Sequence, residues 1–317
     1  MNSVLSGTAG RSAVRKKENN VIFRRMVRYK ALYLMLVPAL VCVILFNYAP
    51  IGGLMIAFKD YNLTAGVFGS PWIGFENFRK LFSDPTCLNV IKNTVIISMY
   101  KLICGIPFPI FLAVALNEVK VTWMRKTVQT VSYLPHFISW VVVAGMVSNI
   151  LSPTGIVAKL LNLDNVMLMT EPKIFRGLLV ITEIWKEAGW NSVIYMAALS
   201  GIDVTLYEAA SMDGASRMQR IRHITLPSLT SLVVTVTILA CGNILNAGFD
   251  QVFNMQNSMV QEVSDIIDTY VYRMGIVEMS YSFSSAVGLF KSVTGLIMLI
   301  TVNTISRKLT ENEGSIW

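Results

Sequence analysis

Long apolar runs separated by short polar segments set the plan of this chain. Residues 31–58, 90–116, 128–151, 175–199, 228–249 and 286–305 are each apolar over the ~20 residues a helix needs to cross a bilayer. The pattern predicts an all-α polytopic membrane protein with six spans. Pro38 and Pro50-Ile51-Gly52-Gly53 interrupt the first run, which should kink or leave the membrane at an angle. Lys101, Pro107 and Pro109 fall in the second, Pro135 and Trp140 in the third, and Glu183, Lys186, Glu187, Trp190 and Asn191 in the outer half of the fourth. Ahead of the second run, Phe75, Phe78, Leu81 and Phe82 recur at helical spacing behind Gly74, which predicts an amphipathic helix on the outer surface. Membrane anchoring and contact with an extracellular partner both suit it. Between the last two runs, residues 263–274 read as a helix stopped by Gly275.

One polar segment of helical character, 205–227, lies between the fourth and fifth runs: TLYEAASMDGASRMQRIRHITLP. Thr205 and Glu208 stand in the T-x-x-E relation of a capping box, so a short helix should start there. Asp213 is placed to cap a second helix, and Gly214 permits the sharp turn between the two. Ala209 and Ala210 add so little bulk that the first helix could sink its backbone into a groove on another protein. Arg217, Arg220 and Arg222 charge the second helix, and Leu226-Pro227 should stop it.

Composition excludes a soluble chain: 54% of residues are hydrophobic and only 15% charged. A net charge of +8 could suggest nucleic acid, but the basic residues lie between the runs. They concentrate in the tail 1–30, at Lys120, Arg125 and Lys126, in 205–227, and at Arg307 and Lys308. The positive-inside rule then places both termini and 205–227 in the cytoplasm, with 310–317 a short cytoplasmic tail. In the N-terminal tail Val21, Ile22, Phe23, Met26 and Val27 interleave with arginines, which suits either a helix in the headgroup region or a solvated tail. No small-residue cleavage site follows, so the first run reads as a retained span. Cys42, Cys87, Cys104 and Cys241 form no C-x-x-C pair and read as small buried hydrophobes, and two distant histidines indicate no metal site. The sequence contains no P-loop, H-E-x-x-H or G-x-S-x-G motif, so it offers no means of binding nucleotide by a P-loop and no hydrolytic centre.

Polar groups inside spans mark the interior of the bundle, because a charge at the bilayer centre costs about 2.5–3.5 kcal/mol unless it faces protein or water. Glu187, Asn191 and Tyr195 at i, i+4 and i+8 share one face, with Trp190 beside it; Asn243, Asn246 and Asp250 read the same way on the fifth run. Lys186 and Lys291 add charge near this path. Amide, carboxyl and aromatic groups together suit a sugar. Hydrogen bonding between helices of one subunit accounts for the same residues equally well.

Glu208-Ala209-Ala210, two residues, Asp213-Gly214-Ala215, then Ile224 and Leu226-Pro227 resemble the EAA loop of permease subunits of binding-protein-dependent ABC importers. Ile221 stands where many members carry phenylalanine. The tracts PIGGLMIAFKDYNL, GSPWIGFENFRKLF, SDIIDTYVYRMGIVE and SSAVGLFKSVTGLIM are similar to members of the carbohydrate-uptake branch that handle polysaccharide fragments. The resemblance implies a six-helix transmembrane domain over 31–309 in a bacterial cytoplasmic membrane. It implies a coupling helix that docks onto an ATPase through Glu208, Ala209, Ala210, Asp213, Gly214, Ala215, Arg217 and Arg220. ATP and magnesium would then sit on two separate ATP-binding subunits, with no cofactor in this chain and no catalysis by it. The further partners implied are a second related permease subunit, an extracytoplasmic solute-binding protein and an oligosaccharide, with acidic fragments of pectin or alginate as one class. A stand-alone secondary carrier or channel is the alternative, but it would need inverted repeats, which are not visible at this length.

Overall fold

The computed structural model describes residues 28–161 and 167–309. The N-terminal stretch that could form a headgroup helix and the tail 310–317 lie outside them. Two compact units divide the chain, Met1–Met55 and Ile56–Trp317. In the first, α1 (Lys30–Val43) contains Pro38, buries no residue, and passes into a π-turn at Ile44–Tyr48. A 3₁₀ stretch, Ala49–Phe58, follows, so the first apolar run is helical throughout but only its first half is α.

Among the described residues, four helices are long and apolar enough to cross a membrane: Lys30–Phe58, Pro85–Glu118, Arg217–Gly242 and Tyr281–Arg307. Two bent pairs, Thr122–Phe137 with Trp140–Ile150 and Pro172–Ser200 with Val204–Met212, bring the number to six if each is one span.

Where the apolar pattern implies plain rods, the backbone breaks for local reasons. Ahead of the second span, α2 (Glu76–Ser83) does not simply lie on a surface: Leu81 is fully buried with Val90, Ile267, Tyr270 and Val287, and the Phe82 ring meets Phe290 edge-on at 5.4 Å. The second span starts at Pro85, earlier than its apolar run, because Asp84 accepts from Thr86 N and Pro85 takes a first-turn position that needs no N–H. It runs as α3 (Pro85–Gly105) and α4 (Pro107–Glu118), the second piece again opened by proline.

The third run, expected as one span, is α5 (Thr122–Tyr133), a 3₁₀ turn at Leu134–Phe137 and α6 (Trp140–Ile150), bent by 103°. Pro135 withholds an N–H from the turn, and Ser139 starts a fresh helix by accepting from Val142 N. α7 (Pro172–Ser200) is unbroken over 29 residues, which puts Glu183 to Asn191 near its middle and not in one half.

The fifth run corrects two expectations. Pro227 does not stop a helix: α9 (Arg217–Arg220) passes through a π-turn at Ile221–Thr225 into α10 (Leu226–Gly242) as one continuous rod. The wider turn supplies the room that a proline ring needs against the preceding carbonyls. α10 then ends at Gly242, well before residue 249; Asn243 closes it, and Gly248 at φ +91° turns the chain into α11 (Phe249–Met255). Asn243, Asn246 and Asp250 therefore do not share a helix face.

Gly275 likewise stops nothing. α12 (Ile267–Tyr272) continues as a π-turn over Arg273–Val277, and the buried Gly275 is where Ser284 at the start of α13 (Tyr281–Leu309) packs too close for a Cβ. Of the cysteines only Cys87 is buried; Cys42 and Cys104 are exposed and Cys241 half-buried, so the reading of all four as buried hydrophobes fails. In a chain with membrane-spanning helices, an exposed thiol on an apolar helix needs no polar partner.

Candidate functional site

The middle of α7 packs against α3, α4 and α10 around a cavity of about 540 Å³. Glu187, Trp190, Asn191 and Tyr195 line it from α7, and Asn243 and Asn246 from the unwound stretch after α10. Asp250 does not line it and is exposed on α11. Lys291 lies outside it too, lining two adjoining cavities that share Asn246 with the first and pairing with Asp268 at 2.5 Å.

Two lining residues that the helical-face argument passed over, Lys101 of α3 and Glu183 of α7, carry much of the electrostatics. Lys101 Nζ donates to Glu183 Oε2 (3.3 Å), to the Ala247 carbonyl (2.8 Å) and to Gln251 Oε1. Gln251 is fully buried and donates in turn to the Leu179 carbonyl and Thr182 Oγ1. A lysine this deep in a span is tolerated because every donor has an acceptor. Its acceptors come from residues 82, 146 and 150 positions away, which is why no local pattern finds them.

A second network ties the break in the third span to the cavity wall. Lys186 Nζ donates to the His136 carbonyl (2.7 Å) and to Glu187 Oε1 (2.9 Å), while Glu187 Oε2 meets His136 Nδ1 at 2.7 Å. The His136 imidazole stacks on Trp190, centroids 4.5 Å apart and planes 2° from parallel. Lys186 also sits over the Trp140 ring at 5.4 Å. Beneath these, a Cβ on Gly189 would overlap the Ser132 carbonyl, so the two helices approach to backbone distance. Lys186 is therefore buried behind the wall, whereas Trp190, 45% exposed, and Asn191 are open. The cavity presents amides, carboxylates, one ammonium group and an indole, which together suit a hydroxyl-rich solute with apolar ring faces.

The segment from Asp203 to Arg220 is built differently from the sequence expectation. α8 (Val204–Met212) is capped by Asp203, whose Oδ1 accepts from Thr205 N at 2.9 Å; Thr205 is inside the helix and forms no capping box with Glu208. That N–H holds the exposed Asp203 carboxyl below the usual carboxylate range. At the other end Gly214 N donates to the Ser211 carbonyl and Ala215 N to the Ala210 carbonyl, with Gly214 at φ +77°. These are the two bonds of a Schellman ending. Asp213 is thus the C-cap of α8 and not the N-cap of α9, a role held by Ser216 in a reciprocal pair with Gln219.

Arg220 donates to Ser211 Oγ (2.8 Å) and Tyr207 OH meets Thr225 Oγ1 (3.0 Å), clipping α8 to the rod behind it. The surface left outward carries Glu208, Ala209, Asp213, Gly214 and Arg217, while Ala210, Ala215 and Arg220 are half-buried. Met212, 89% exposed, stands among them.

Residues 105–311 match the family of binding-protein-dependent transport system inner membrane components. The chain belongs to this family. It is 41% identical to Protein LplB of Bacillus subtilis (strain 168), across 90% of this chain and 91% of that one. With the polygalacturonan/rhamnogalacturonan transport system permease protein YteP of the same organism, identity is 38% across 94% of each. Among solved structures it resembles a bacterial ABC transporter involved in import of the acidic polysaccharide alginate, at 39% identity and a TM-score of 0.83, covering 91% of this chain and 99% of that one. The same transporter type is known in complex with an alginate pentasaccharide-bound periplasmic protein, again with 91% of this chain covered and a TM-score of 0.82.

Proposed function

We propose that this chain is the permease subunit of an ATP-driven ABC importer that carries an oligosaccharide, a fragment of an acidic polysaccharide, from an extracytoplasmic binding protein into a bacterial cytoplasm. The observation that carries the reading is a sugar-compatible cavity within a fold that aligns over 91% of its length with an alginate importer. Acidic units draw support from the polygalacturonan/rhamnogalacturonan and alginate carried by the relatives and from Lys101 and Lys291, although each of these lysines is already paired with a carboxylate.

The orientation follows from the basic residues: both termini and the turn from Asp203 to Arg220 face the cytoplasm. There Glu208, Ala209, Asp213, Gly214 and Arg217 dock into a groove of an ATP-binding subunit, with Met212 as an apolar anchor. ATP and magnesium act on two such subunits, and a second, related permease subunit completes the cavity. Closure of the ATPases on ATP pushes the docking helices together and turns the cavity outward; hydrolysis reverses it. The solute is held by Asn191, Asn243 and Asn246 through hydroxyls and by Trp190 through a ring face.

Reconstitution with components omitted in turn tests this. Uptake of galacturonan oligomers into proteoliposomes should need the partner permease, ATPases, binding protein and internal ATP together. Uptake by this chain alone would replace the proposal with a secondary carrier.

A further inference from the structure

Beyond the central cavity a second one of about 580 Å³ is lined by Phe249, Tyr272 and Tyr281 together with Asp268, Ser284 and Lys291. Asn246 lines both. On the far side Tyr281 is shared with a third cavity of about 450 Å³, where its ring meets Tyr61 edge-on at 5.9 Å. The middle cavity therefore shares a wall residue with each of the other two, Asn246 with the first and Tyr281 with the third. The aromatic walls of the middle one are clustered: Phe249 stacks on Phe253 at 5.2 Å, and Tyr272 lies 5.7 Å from the first and 5.1 Å from the second. Opposite them, Lys291 Nζ and Asp268 Oδ1 form an ion pair whose two side chains are each 22% exposed.

We propose that this middle cavity is a second sugar subsite, occupied by a ring of the same oligosaccharide whose neighbouring ring sits in the central cavity. The inference rests on the oligosaccharide reading above and adds to it a preference for chain length. Its chemistry is that of a pyranose: an apolar C–H face stacks on Tyr272 and Phe249, and adjacent hydroxyls donate to Asp268 and accept from Lys291. The ion pair keeps both groups charged and placed while the subsite is empty. The backbone around it departs from regular helix, with Gly248 at φ +91° and the π-turn at Arg273–Val277, as is common where a helix is shaped around a ligand. The unwound stretch 243–248 supplies Asn246, the residue common to both cavities.

The test uses the complete reconstituted transporter and galacturonan oligomers of two and five units, with neutral glucan oligomers of the same lengths as a second series. Wild type should favour the longer chain. Tyr272→Ala should raise KM for five units by about tenfold, the equivalent of one lost ring contact, and narrow the preference over two units. The double variant Asp268→Asn/Lys291→Gln, which leaves the aromatic wall in place, should narrow the same preference. Equal losses at both lengths would mean a structural role and overturn the subsite, as would unchanged KM for five units. A subsite that reads only hydroxyls gives the same pattern in both series, and one that reads a carboxylate gives it only with galacturonan. Failure of wild type to take up either sugar at any length would instead remove the oligosaccharide reading, and the subsite with it.

Discussion

Lys186 of α7 donates to the main-chain carbonyl of His136, 50 residues away, at 2.7 Å. The bond reaches into the 3₁₀ turn where the third span breaks, and the same ammonium group holds Glu187. One buried side chain thus fixes both the bend and the orientation of a carboxylate in the cavity wall. Lys186→Met should leave Glu187 without its lysine partner and the carbonyl without its donor, destabilising the folded chain by about 3 kcal/mol. Thermal unfolding of the purified complex should show a lower midpoint, and an unchanged midpoint would mean that the bend holds without this bond.

Gly189 sits where α7 meets Ser132 of α5 at backbone distance. Gly189→Ala should force the helices apart at a cost of about 2 kcal/mol. Gly177, on the same helix with open space around its Cα, is the control. Gly177→Ala should retain wild-type yield and melting behaviour while Gly189→Ala loses both.

Within the cavity, Asn191 and Trp190 are the open groups, whereas Glu187 is tied back to Lys186 and His136. Asn191→Leu or Trp190→Ala should raise the KM for sugar uptake by about tenfold while the complex still assembles. Asp250→Asn, on the exposed side of α11, should change uptake less than twofold by the same scale. Loss at Asp250 equal to that at Asn191 would show that the lining is wrongly drawn.

Asp203 carries a pH dependence whose sign follows from its cap. The folded carboxyl is held below its usual range by the Thr205 N–H, so its contribution to α8 is present above the unfolded value and lost as pH falls through the folded one. Coupling of sugar uptake to ATP hydrolysis should weaken on acidification in that window. Asp203→Asn, which caps without titrating, should flatten the response, and an identical acid response in both proteins would discount the cap.

How much of this was legible in the sequence depends on the element. The apolar runs located the membrane-spanning helices, and Glu208 to Ala215 located an exposed turn between α8 and α9, because both signals are local. The prolines show where local signals end. Pro107 opens a new helix, Pro135 sits in a sharp break, and Pro227 lies inside a continuous rod behind a π-turn. The three outcomes depend on which groups nearby can satisfy the freed carbonyls. The same limit hid the Lys101 network, whose acceptors arrive from α7, the stretch after α10 and α11, and it misplaced Asp250, since nothing in the apolar pattern announces that α10 stops at Gly242. The capping groups of this turn were nearer to hand: Asp203 and Ser216 are both ordinary N-cap residues, but each competed with a neighbour, Thr205 and Asp213, that matched a motif equally well.

The central claim, that the turn from Asp203 to Arg220 couples this permease to an ATPase, is tested most directly by sugar-stimulated ATP hydrolysis in the reconstituted complex carrying Gly214→Val. Gly214 lies at φ +77°, where any side chain is opposed by about 1–2 kcal/mol and a β-branched one by more, so the variant should unmake the turn that presents Asp213 and Met212. The spans lie elsewhere and should still insert and pair with the second permease. Stimulated hydrolysis and uptake should both fall by about tenfold or more with assembly of the permease pair intact; full stimulation and full uptake from the Gly214→Val complex would contradict the account.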